Sequence, residues 1–98
     1  MMSELLRYEK TLIFFDGKVI LRDFSVDGIK MTMGYMASGQ YRWLAEDPER
    51  FIIVSGKAVF TYNDQKVNVQ SGNEVFVPAG TTFTVEVAEP LDYRCYYA

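Results

Sequence analysis

A chain of 98 residues, 49 % of them apolar or aromatic and 15 % Phe, Trp or Tyr, has the length of one domain and ample material for a core. Its net charge of −3, with no run of Lys and Arg, excludes the basic field on which nucleic-acid binding depends, so no nucleic-acid partner is expected. One cysteine, Cys95, rules out an intramolecular disulfide, and no stretch reaches the ~20 apolar residues of a membrane helix.

Residues 1–13 read as an N-terminal extension of a single 1–98 domain, and only 1–12 have room for a helical turn. Their start lacks the basic and then apolar order of a signal peptide, so a cytoplasmic location without membrane contact is expected. From there turn signals recur at near-even spacing: Asp16-Gly17, Asp27-Gly28, Ser38-Gly39, Asp47-Pro48, Ser55-Gly56, Asn63-Asp64, Ser71-Gly72, Pro78-Ala79-Gly80 and Glu89-Pro90. That rhythm suits short antiparallel strands in a sandwich or barrel. Asp-Gly suits a two-residue hairpin, where both central residues take positive φ.

The segments between turns favour strands: 18–21, 51–54, 57–62, 66–69 and 82–87. Several alternate with period two, as in Val67 and Val69 against Lys66 and Asn68, or Phe83, Val85 and Val87 against Thr82, Thr84 and Glu86. The class is all-β. A domain this small leaves much of its surface wet, which favours a homodimer.

Two spacings narrow the choice. Glu49 to Gly56 is E-x6-G, and Gly72 to Gly80 through Pro78 is G-x5-P-x-G. In this order they resemble the two half-motifs of the cupins, which implies a single-domain cupin-type β-barrel (a double-stranded β-helix, or jelly roll). Metal-binding cupins place histidines near both motifs. Here those neighbourhoods hold Trp43, Ala45 and Phe83, and the chain has no histidine at all. Glu49 alone is too few ligands for a transition metal, so no metal and no cofactor are expected.

A narrower likeness spans roughly 14–97. It runs through Phe15-Asp16-Gly17-Lys18-Val19, Gly34-Tyr35-Met36-Ala37-Ser38-Gly39-Gln40-Tyr41-Arg42-Trp43, Pro48-Glu49-Arg50-Phe51, Val54-Ser55-Gly56-Lys57-Ala58, Val77-Pro78-Ala79, Val87-Ala88-Glu89-Pro90 and Tyr93-Arg94-Cys95-Tyr96-Tyr97. This pattern resembles the pyrimidine/purine nucleoside phosphorylase family. The resemblance implies a pentosyltransferase that splits nucleosides of either base class with phosphate, giving free base and ribose 1-phosphate. Gln40, Trp43, Ala45 and Arg50 depart from the family pattern, and fold passes between relatives more safely than activity. The alternative is a non-catalytic, metal-free cupin that binds a sugar or another small ligand.

On a strand, 41, 43 and 45 share one face, as do 49, 51 and 53. If Glu49 faces inward, as the cupin resemblance implies, then Tyr41, Trp43, Phe51, Phe83, Tyr93, Cys95 and Tyr97 gather around it. Glu49 is the expected catalytic carboxylate. The aromatics Tyr41, Trp43, Phe51, Phe83, Tyr93 and Tyr97 are the expected substrate surface, although the same rings would equally furnish a barrel core. Following Asp47-Pro48, Glu49 belongs either to the pocket or to a solvated turn. Lys30 and Thr32 share a strand face and, by the resemblance, stand where the family carries a basic residue and a hydroxyl, which makes them the first candidates for binding phosphate. Arg42, Arg50 and Arg94 fall out of phase and read as surface charges. Without a histidine to activate it, Cys95 reads as a buried, inert thiol.

Overall fold

Period-two alternation is the rule in the computed structural model, which describes residues 5–97. The strands are β1 (Leu6–Phe14), β2 (Val19–Val26), β3 (Ile29–Met36), β4 (Gly39–Ala45), β5 (Glu49–Tyr62), β6 (Gln65–Gln70), β7 (Glu74–Val77) and β8 (Thr81–Tyr96), with one 3-10 turn at Phe15–Gly17. Segment 6–13, expected as an extension with room for a helical turn up to residue 12, is strand throughout: β1 pairs along β2 from Leu6 to Phe14, with a bulge between Tyr8 and Lys10. The part of that expectation at 1–4 lies outside the described residues. Asp27-Gly28 and Asn63-Asp64 both close hairpins with two positive-φ residues, as their side chains predispose them to do.

Strand order is β1-β2-β3-β8-β5-β6, with β4 added beside β8 and β7 beside β5. Every ladder is antiparallel. The long strands β5 and β8 run through both halves of the roll. One half of β8 pairs with β4 and the other with β3; one half of β5 pairs with β7 and the other with β6. The fold is all-β, and its hydrogen-bonded path stays open instead of closing into a complete barrel.

Ser55-Gly56 and Glu89-Pro90, which resemble turns in the sequence, are bends inside β5 and β8. The register between the two strands slips at 53–55, 55–57 and 57–58. A bulge requires the same permissive residues as a turn, and Pro is tolerated there. Gly56 takes φ +100, and a Cβ on it would run into the carbonyl of Pro90. The bend therefore depends on glycine.

Inward residues of both halves meet in one core, where Phe60, Ile53, Leu91, Val19, Val77 and Val85 are among the fully buried side chains. Its aromatic centre is Phe51, with Phe60, Phe83 and Tyr93 at ring-centroid distances of 5.1, 5.7 and 5.4 Å. Among the described residues no helix is long and apolar enough to cross a membrane.

Candidate functional site

Register brings the site together. One row of inward residues crosses five strands: Lys10 on β1, Asp23 on β2, Thr32 on β3, Cys95 on β8 and Phe51 on β5. The row beneath it runs Leu21, Gly34, Tyr93, Ile53. Gly34 leaves the space that the Tyr93 ring fills, since a Cβ at 34 would overlap that ring. Glu49, two residues before Phe51, stands one step above the first row at the start of β5. The opposite wall is β4, where Trp43 pairs with Phe83 of β8.

The result is a cleft of about 80 Å³ whose walls carry Thr32, Trp43, Glu49, Phe51, Phe83, Tyr93, Cys95 and Tyr97, with Leu21, Met36 and Leu44 filling between them. Most of the residues expected at the site are therefore in one place. Tyr41 is not. It lies two pairs further along β4, opposite Val85, with its hydroxyl donating to the Ala37 carbonyl at 2.7 Å. A two-residue step along a strand is about 6.6 Å, enough to carry Tyr41 out of the cleft and into the core. Lys30 is at the rim: its exposed side chain brings Nζ 4.4 Å from the centre of the Tyr97 ring.

Glu49 is half-buried, and its carboxyl is pushed up to about 7, first by loss of solvent and then by the charge of Asp47, with Lys30 pulling the other way. Both protonation states are thus accessible near neutrality. Cys95 is buried, and its thiol is pushed up to about 12, chiefly by desolvation and then by Glu49. Burial likewise raises the Tyr93 and Tyr97 hydroxyls, followed by their proximity to Cys95.

A short hydrogen-bond relay braces one wall. Thr32 Oγ1 donates to Asp23 Oδ1 at 2.8 Å, and Tyr97 lies 2.7 Å from the same Oγ1. A threonine hydroxyl has one proton, and with that proton given to Asp23 it is Tyr97 that donates to Thr32. Trp43 is held by edge contacts with Phe14 and Phe15 at 5.5 and 5.6 Å. Its indole Nε1 is buried and has no hydrogen-bond partner among the described residues. An orphaned donor in a cleft wall is costly unless a ligand or water accepts from it.

Sequence reasoning did not single out Asp23, Leu21, Met36 or Leu44. Asp23 is 6 % exposed, and alternation from the buried Val19 would place 19, 21 and 23 on one face. The three arginines point outward as their phase requires; Arg50 pairs with Glu74 at 2.9 Å.

The pyrimidine/purine nucleoside phosphorylase family model matches residues 9–97. The chain belongs to that family. A relative from Leptospira interrogans, named pyrimidine/purine nucleoside phosphorylase, is 32 % identical over 92 residues, covering 91 % of this chain and 87 % of the relative. Among solved structures, a family member from an Acinetobacter species, described as a DUF1255 protein of unknown function, superposes with a TM-score of 0.88 at 25 % identity over 95 % of this chain and 94 % of its own. The EutQ protein of Clostridium difficile shares the fold alone, with a TM-score of 0.70 at 17 % identity over 89 % of this chain and 75 % of its own. The fold of this family member is cupin-like.

Proposed function

We propose that this chain cleaves nucleosides with inorganic phosphate to free base and ribose 1-phosphate, accepting purines and pyrimidines and using no metal or other cofactor. The observation that carries this reading is Glu49, a carboxyl poised at about 7 in an aromatic cleft of a nucleoside phosphorylase family member. In the reaction the C1′–N bond breaks and its electron pair leaves with the base. A phosphate oxygen bonds to C1′, and the base takes a proton from phosphate or water. The sugar passes through a cationic state, which ionised Glu49 stabilises as carboxylates do in glycoside cleavage.

Lys30 is the cation for phosphate at the rim, with the orphaned Trp43 N–H as a second donor. Thr32 already donates its proton to Asp23, so its role is to fix Tyr97. Pockets that swallow a drug-sized ligand run to roughly 300–1,000 Å³. The cleft, at about 80 Å³, has room for the sugar or the phosphate but not for a whole nucleoside. The base then rests outside, against the exposed rings of Phe14 and Phe15, which meet Trp43 edge to face at the cleft. Stacking without edge recognition tolerates any base, which accounts for a broad substrate range.

The small volume also favours a second reading, a sugar-binding module without catalysis. Incubation of the purified chain with inosine, adenosine or uridine, with and without phosphate, separates the two. Phosphorolysis gives chromatographically detectable base only when phosphate is present, with a loss of about 100-fold or more in Glu49→Gln. Release that ignores phosphate, or that Glu49→Gln retains, overturns it. Thermal stabilisation by ribose without base release from any nucleoside supports the second reading instead.

A further inference from the structure

Toward the tip of β1-β2-β3 the inward face stops being core and turns polar. Along β2 it runs Val19, Leu21, Asp23 and Ser25. Lys10-Asp23-Thr32 and Arg7-Ser25-Lys30 are the last two cross-strand rows on that side. The bulge between Tyr8 and Lys10 brings Glu9 to the same face, where it accepts from Ser25 Oγ at 3.1 Å. Here lies an open groove of about 360 Å³, with Glu9, Lys10, Asp23, Ser25 and Lys30 as its polar lining. Both of its carboxylates already accept from a hydroxyl, Glu9 from Ser25 and Asp23 from Thr32. Its lysines have no such partner: the ion pairs among the described residues are Arg50–Glu74 and Lys57–Glu89. With Arg7 beside them, the face carries three cations against two carboxylates, in a chain whose net charge is −3.

Groove and cleft share a border. Asp23 lines the groove, and its hydrogen-bond partner Thr32 lines the cleft. Lys30 lines the groove and sets Nζ 4.4 Å from the centre of the Tyr97 ring, a cleft wall. We infer that the groove is a subsite for a phosphate carried by the sugar, so that the chain takes nucleoside 5′-monophosphates; this rests on the cleft being the sugar site. With the base against Phe14 and Phe15, the groove lies at the other end of the same strand. Phe14 and Lys10 are four residues apart on β1, about 13 Å along the chain. A ribose carries its base at C1′ and its 5′-carbon across the ring oxygen at C4′. A sugar whose base lies toward Phe14 therefore turns its 5′ end toward Lys30 and Lys10, and a phosphate dianion there meets two point charges. Lys30, on the border, faces this phosphate and the attacking one alike, whereas Lys10 lines the groove alone. In phosphorolysis of such a substrate only C1′ changes. Its bond to the base breaks, a bond to an oxygen of inorganic phosphate forms, and the product is ribose 1,5-bisphosphate with the 5′-phosphate intact.

The test is calorimetric binding of uridine, uridine 5′-monophosphate and inorganic phosphate to the full chain. Wild type is compared with Lys10→Gln, Lys10→Arg and, as a control, Lys66→Gln. Lys66 is exposed on β6, outside the groove. In wild type and Lys66→Gln the nucleotide binds about tenfold or more tighter than the nucleoside. Lys10→Gln removes most of that advantage, and Lys10→Arg retains it. A nucleotide that binds no tighter than uridine overturns the subsite, as does an advantage that survives in Lys10→Gln. A Lys10→Gln loss confined to inorganic phosphate overturns it too, and marks the groove as the co-substrate's place. Binding is read here without turnover, so failure of the subsite is distinct from failure of phosphorolysis, which is assayed on the unphosphorylated nucleoside.

Discussion

Among single residues, burial changes ionisation most clearly at Glu49 and Cys95. Glu49 has a folded value of about 7 against an ordinary 4.5, so the native state binds its proton more tightly than the unfolded chain does. Its contribution to stability is present below 4.5 and is lost as pH rises through about 7. Glu49→Gln has no charge to bury. It should match wild type in thermal melts at pH 4 and exceed it at pH 8, by on the order of 1 kcal/mol once partial solvent screening is allowed for. A variant less stable than wild type at pH 8 would mean that the carboxylate is well solvated or paired. Cys95 gives the complementary prediction. Burial holds its thiol near 12. Iodoacetamide should leave it unmodified in the folded protein at neutral pH and label it rapidly in urea, as read by mass spectrometry.

At the scale of elements, two glycines do what no other residue can. Gly34 admits the Tyr93 ring to the cleft wall, and Gly56 lets β5 bend against Pro90 so that one strand serves both halves of the roll. Gly56→Ala adds a Cβ at positive φ into a backbone carbonyl, and should cost at least about 2 kcal/mol, measured as a shift in urea midpoint. Here the sequence was legible only in part. Asp27-Gly28 and Asn63-Asp64 announce their hairpins because the residues themselves favour left-handed backbone. Ser55-Gly56 and Glu89-Pro90 carry the same local signal, yet long-range pairing of β5 with β8 turns them into bends within strands. Local chemistry specifies permissiveness; the partner strand decides what is made of it. β1 was illegible for a related reason. Its residues 6–10 are all exposed and a register shift between Tyr8 and Lys10 breaks their short alternation, so pairing with β2 is what makes them a strand.

At the scale of the whole molecule, the inward phase of Glu49, Phe51, Phe83, Tyr93 and Tyr97 could be read from alternation and family likeness. Which of the phased aromatics reach one cavity could not, because that depends on register between β4 and β8. Tyr41 and Trp43 share a face, and two pairs along the ladder separate a core residue from a cleft residue. Asp23 stayed hidden until the Lys10-Asp23-Thr32-Cys95-Phe51 row joined five strands. The cleft is therefore a product of the complete roll, built from both ends of the chain.

In the function we propose, the assembled cleft uses ionised Glu49 to split a nucleoside with phosphate. The most direct measurement is the rate of uridine or inosine phosphorolysis as a function of pH. If the carboxylate form is the active one, kcat/KM should climb with pH to a plateau, with a midpoint near 7, and Glu49→Gln should lose both the rate and the climb. A profile flat across neutrality, or one in which Glu49→Gln keeps the wild-type rate, would contradict it.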